Sequence, residues 1–112
     1  MTPRVWYHVR DLDAGREFYA GVLGFDVEHL DGDERWAQLR HGAMEVGLAE
    51  GEPDGNSGVA TVDVADVKAE AERLRAAGVE VGVVLELHGQ VRLLDVYDPD
   101  GNRIQLAQVL EP

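Results

Sequence analysis

The chain has 112 residues, 22 of them acidic and 10 basic, for a formal net charge of −12, and it contains no cysteine. That length fits one compact domain, and a hydrophobic share of 45% is enough for a core. The composition excludes a disulfide framework and any thiolate ligand or nucleophile. It also argues against nucleic acid and anionic membranes as partners, because both call for a basic surface.

No apolar run reaches the length of a membrane-spanning helix. Met1-Thr2-Pro3-Arg4 is not followed by the apolar stretch of a signal peptide, so a cytoplasmic location is the default expectation.

In chain order, Arg4–Arg10 is rich in β-branched and aromatic residues and predicts a strand. Asp11 or Asp13 can cap a helix whose apolar stripe is Leu12, Phe18, Tyr19, Val22 and Leu23. Gly24 falls where a left-handed stop is expected. Three strands follow, at about Phe25–Leu30, Arg35–Arg40 and Met44–Glu50, punctuated by Asp31-Gly32-Asp33 and His41-Gly42. Residues 51–58, with Pro53, Asp54-Gly55 and Asn56-Ser57, read as a linker. The same order then recurs. Val59–Val64 is a strand, Asp66–Ala77 a helix stopped by Gly78, and Glu80–Glu86, Val91–Tyr97 and Arg103–Val109 are strands.

That recurrence is visible residue by residue. Val9-Arg10-Asp11-Leu12-Asp13-Ala14 parallels Val64-Ala65-Asp66-Val67-Lys68-Ala69 at an offset of 55. Gly24-Phe25-Asp26-Val27 parallels Gly78-Val79-Glu80-Val81 at 54, and Val46–Glu50 parallels Ile104–Gln108 at 58. A nearly constant offset across three ordered blocks marks an internal duplication. The expected fold is α+β: tandem βαβββ repeats, about 3–50 and 59–110, in one domain. They form a curved mixed sheet with helices on its convex face and an open face for a ligand.

Two stretches carry a family resemblance. V-R-D-L-D-A-G-R-E-F-Y-A-G-V-L-G-F-D-V at Val9–Val27 and D-P-D-G-N-R-I-Q-L at Asp98–Leu106 resemble the vicinal-oxygen-chelate superfamily. It includes glyoxalase I, extradiol dioxygenases, fosfomycin-resistance enzymes and bleomycin-binding proteins. The resemblance implies four metal-ligand positions, filled in metal-using members by His, Glu or Gln whose ion polarises substrate oxygens. Here those positions fall on Arg4, Gly47, Val59 and Gln105. A guanidinium, a bare backbone and an isopropyl group offer no lone pair to a cation, and a single amide is a weak ligand. No cofactor is therefore expected. The resemblance also implies a homodimer.

Strand alternation places candidate ligand contacts on the open face: Arg4, Trp6, His8, Trp36, Gln38, Asp63, Arg92 and Gln105. Glu45, Thr61 and Arg103 are expected beside them. Both tryptophans fall there, as walls for a flat or cationic ligand, as packing at a dimer interface or as core filling. His8 reads either as an acid/base group or as a polar residue at the mouth of a wet cavity. Arg4 has Glu45, Asp63 or an acidic ligand as possible partners. His29, His41 and His88 read as solvated.

The expected function is metal-independent binding of an aromatic or cationic small molecule, as in antibiotic sequestration. The alternatives are a metal-dependent lyase, dioxygenase or epimerase of the same superfamily, and a dimeric module with a vestigial cavity.

Overall fold

The computed structural model of the chain describes residues 4–53 and 58–110, so the middle of the expected linker, residues 54–57, lies outside the described residues. The first repeat comprises β1 (Arg4–Val9), α1 (Leu12–Glu17) running into a π-helical turn (Phe18–Val22), β2 (Asp26–Asp31), β3 (Trp36–His41) and β4 (Met44–Glu50). The second comprises β5 (Ala60–Asp63), α2 (Val67–Ala76), β6 (Glu80–Val81), β7 (Leu85–Leu87), β8 (Val91–Tyr97) and β9 (Arg103–Val109). The strand expected at Glu80–Glu86 is thus two short pieces.

The fold is mixed α+β, and the two repeats share one topology. In each, the first strand pairs in parallel with the last, and the remaining pairs are antiparallel. The strand orders are β1-β4-β3-β2 and β5-β9-β8-β6, with β7 also on β8. The sheet comes in two halves, each with its own ladder.

Both helices start on the residues the sequence offers. Asp11 accepts from the backbone N–H of Asp13 and Ala14, and Asp66 accepts from that of Ala69. Both stop at equivalent glycines in the left-handed region, Gly24 at φ 82° and Gly78 at φ 80°. One contiguous core draws on both repeats. Tyr7, Val9, Leu39, Val46 and Leu48 meet Leu12, Phe18 and Tyr19 on one side, and Val62, Leu94, Val96, Ile104 and Leu106 meet Val67, Ala71 and Leu74 on the other.

Buried hydroxyls join the halves. The Tyr7 hydroxyl accepts from the N–H of Ala60 at 2.8 Å and donates to the carbonyl of Arg103 at 2.6 Å, bridging β1 to β5 and β9. The Tyr19 hydroxyl donates to Asp98 Oδ2 at 2.9 Å. Asn102 Nδ2 donates to that same oxygen and to the carbonyl of His8, both at 2.9 Å. Asp98 Oδ1 accepts from the N–H groups of Asp100 and Asn102. The D-P-D-G-N turn therefore clasps the first repeat.

Burial pushes the Tyr7 hydroxyl up to about 12 and raises Tyr19 further, with the Asp98 carboxylate adding to both. An unfolded tyrosine ionises near pH 10. The stability the Tyr7 hydroxyl contributes is therefore complete below pH 10 and is lost between about pH 10 and 12, while that of Tyr19 goes on falling above this window. At the other end, hydrogen bonds from Arg35 and from the N–H of Leu12 hold Glu50 down at about 2. That contribution is present above about pH 4.5 and disappears as pH falls toward 2.

We predict that Tyr7→Phe, which orphans Ala60 N–H and Arg103 C=O, costs about 1–3 kcal/mol in urea unfolding at neutral pH. Urea midpoints measured from pH 4.5 to 2 should fall, and Arg35→Ala should flatten that fall.

Candidate functional site

The side of the first sheet away from α1 is organised in cross-strand rows, because paired residues on adjacent strands point the same way. One row runs Arg4, Glu45, Arg40; the next Trp6, Gly47, Gln38, His29; the third His8, Ala49, Trp36, Asp31.

The first row is a charge ladder. Glu45 is only 4% exposed. Arg4 Nε donates to its Oε2 at 2.8 Å, and Arg40 donates to its Oε1. Arg40 also reaches Glu28 at 3.1 Å. Arg4 thus takes Glu45, of the partners the sequence offered. A buried carboxylate needs such pairing to stay charged.

The second row is aromatic. Gly47 has no side chain, and the Trp6 indole lies across it. A Cβ built at position 47 would stand 2.4 Å from the indole carbons Cδ2 and Cε3. Laid over β4 in this way, Trp6 reaches Trp36 on β3, with ring centroids 5.9 Å apart at 56°. The His29 imidazole packs on Trp36 at 4.7 Å and 35°. The three rings form one surface, on which Trp6 is 44% exposed. His8 stands exposed beside them, its ring 3.3 Å from the Cβ position of Gly51.

Five expected site residues, Arg4, Trp6, His8, Trp36 and Gln38, are therefore brought together on this face. Gln105 and Asp63 lie on the corresponding face of the second sheet. Thr61, Gln105 and Asp95 form one row there, and Asp63, Ala107, Leu93 and Leu85 another. Thr61 and Asp63 also border a small cleft of about 140 Å³ with the His41–Met44 turn.

Arg92 departs from expectation. It pairs with Gln108, whose side chain accepts from the N–H of Val67 at the start of α2, so both face the helix side. Arg92 instead donates to Glu86 at 2.9 Å. The period of two ties residue 92 to Leu94 and Val96, and its charge is accommodated by partial exposure and the ion pair with Glu86.

His29 was readable only as a solvated strand-end residue. Its place on Trp36 follows from the β2–β3 register, which passes through an irregularity between Val27 and His29.

The family model of the Glyoxalase/Bleomycin resistance protein/Dioxygenase superfamily matches residues 3–106. The chain belongs to this superfamily. Among solved structures, TnmS3, an antibiotic binding protein from Streptomyces sp. CB03234, is 26% identical, with 97% of this chain and 95% of that one covered and a TM-score of 0.80. The integron cassette protein HFX_CASS4, from the mobile metagenome of the Halifax Harbour sewage outfall, is 24% identical over 97% and 98% of the chains, at a TM-score of 0.84. A lactoylglutathione lyase from Agrobacterium tumefaciens shares the fold at 18% identity, covering 96% and 92%, at a TM-score of 0.77. A search of curated proteins gives no match.

The superfamily's metal-using members raise the question of an ion here. Gly47 and Gln105 hold equivalent register positions, facing Trp6 and Thr61 respectively. Arg4 is committed to Glu45, and the space above Gly47 is filled by the Trp6 indole. Among the described residues, no three His, Cys, Asp or Glu side chains gather as an ion-binding group. These donors do not fit a divalent ion.

We predict that removing both cations in Arg4→Ala/Arg40→Ala leaves Glu45 buried and unpaired, at a cost of about 3–5 kcal/mol in chemical denaturation. Glu45→Gln in the same background should recover part of the loss.

Proposed function

We propose that this superfamily member acts as a single domain that binds an aromatic or cationic small molecule without a metal, in the manner of antibiotic sequestration, and works as a homodimer. The observation that carries the reading is the Trp6–Trp36–His29 surface, whose Trp6 indole covers Gly47, one of the positions the resemblance gives to a metal ligand. A flat ligand can stack on the exposed face of Trp6, and a cationic one gains from the indole quadrupole as well. The net charge of −12 favours the approach of cations. Gln38, alongside the rings, and Gln105 and Asp63, on the second sheet, supply polar contacts. His8 and Arg4 border the surface, Arg4 with about half its side chain exposed. Arg92 has no part in it. The likeness to TnmS3, named as an antibiotic binding protein, supports the same reading.

Exposed aliphatic side chains support the dimer. Leu85, Leu87 and Val109 of the second sheet are 53%, 43% and 69% exposed. Apolar surface of this kind gains from being covered by a second copy.

Both tryptophans of the chain lie on the proposed binding surface, so intrinsic fluorescence reports on it. Titration with metal-free bleomycin, a cationic glycopeptide, and with acriflavine, a planar cation, should quench that emission saturably. Trp6→Ala should weaken binding about tenfold or more, equivalent to roughly 1.4 kcal/mol. No quenching by any member of a broad aromatic panel would contradict the proposal. Stoichiometric Zn, Ni, Mn or Fe in protein purified without chelator would point instead to a lyase, dioxygenase or epimerase. Light scattering should give twice 12.3 kDa, and a 12.3 kDa species at micromolar concentration would exclude the dimer.

A further inference from the structure

We propose that Gly47 is a positioning residue for recognition, whose missing side chain holds the Trp6 indole flat across β4 and so sets which ligands the surface accepts. The inference rests on the proposed binding function, but its geometry stands apart from it. Three indole carbons, Cδ2, Cε3 and Cε2, lie 2.4 to 2.6 Å from where a Cβ at position 47 would sit. Real Cβ atoms do not approach ring carbons so closely. Any side chain at 47 therefore forces the indole off the strand and away from Trp36. The indole is rigid and cannot yield by bending at its tip, as a lysine or methionine would.

The duplication supplies an independent argument. The register pairs Trp6 with Gly47 in the first repeat and Thr61 with Gln105 in the second. These are equivalent positions, at offsets of 55 and 58. The bulk has been exchanged between them: large opposite none in one repeat, small opposite medium in the other. A pair that shares one volume behaves in this way, and two independent positions need not.

The consequence for ligand class follows from the orientation. One indole face is spent on the Gly47 backbone, and Trp36 stands tilted beside the indole at 56°. A single flat face remains, bounded on one flank by the Arg4–Glu45–Arg40–Glu28 ladder, whose two cations and two carboxylates balance. That surface suits planar polycyclic ligands with neutral or cationic rings, and discriminates against globular aliphatic ligands of equal size.

Two tryptophans this close couple their electronic transitions and give an exciton couplet in circular dichroism. The wild-type protein should show it, and Trp36→Phe should abolish it. Gly47→Ala should also abolish it and weaken acriflavine binding as much as Trp6→Ala does. Because Gly47→Ala also lowers stability, Trp6→Ala/Gly47→Ala is the deciding variant. With the indole gone the three atoms that crowd the new methyl most closely are removed, so its Tm should exceed that of Gly47→Ala alone. A couplet retained in Gly47→Ala, or a double variant less stable than Gly47→Ala, would overturn the positioning role. If acriflavine fails to bind the wild-type protein, the binding function falls while the couplet and the rescue still decide the role of Gly47.

Discussion

The architecture depends on a few hydrogen bonds made by buried hydroxyls and one carboxylate. The two half-sheets each complete their own ladder, so backbone pairing alone does not set their relation. Tyr7 spans the junction by bonding to β5 and β9 at once, and Asp98, 5% exposed, gathers Tyr19, Asn102 and two backbone N–H groups. These bonds lie in the core, where an unmade bond costs more than a made one contributes. They therefore act as a lock between repeats that pack through the same apolar cluster. The D-P-D-G-N segment is as much an inter-repeat fastening as a turn. Its Asn102 reaches the carbonyl of His8, in the strand that also carries Arg4 and Trp6.

With the halves held, the repeats have diverged on their open faces while keeping one backbone plan. The first carries rings and a charge ladder; the second carries carboxylate, amide, hydroxyl and aliphatic groups. Metal chemistry in this fold needs converging lone pairs. The first repeat presents instead an indole resting on bare backbone and a carboxylate held by two guanidinium groups. Under the proposed function, a surface of that composition would bind by stacking and desolvation, whose strength grows with ligand area and planarity.

Much of this was legible in the sequence, for identifiable reasons. The duplication, the capping aspartates and the glycine stops are local signals, and each fixed an element. Period-two alternation placed Trp6 and Trp36 on one face, but it could not bring them together. Their contact crosses a whole strand and depends on Gly47 being opposite Trp6, which is a matter of register. His29 was missed for the same reason. Arg92, expected on the open face, shares its parity with Leu94 and Val96 and so faces inward. The depth of Glu45 was equally invisible, since only the three-dimensional pairing of Arg4 and Arg40 makes a buried carboxylate tolerable.

The central claim is that the open face of the first repeat receives flat or cationic organic ligands on its rings and holds no ion. The most direct test is the pair of tryptophan indole N–H signals in a ¹H–¹⁵N NMR spectrum, two resonances from the chain's two tryptophans. Adding metal-free bleomycin to protein stripped of metal should move both signals saturably, while Zn added alone leaves them in place. The account is contradicted if Zn alone shifts them at stoichiometric concentration. It is equally contradicted if bleomycin and a wide set of planar aromatics leave both untouched.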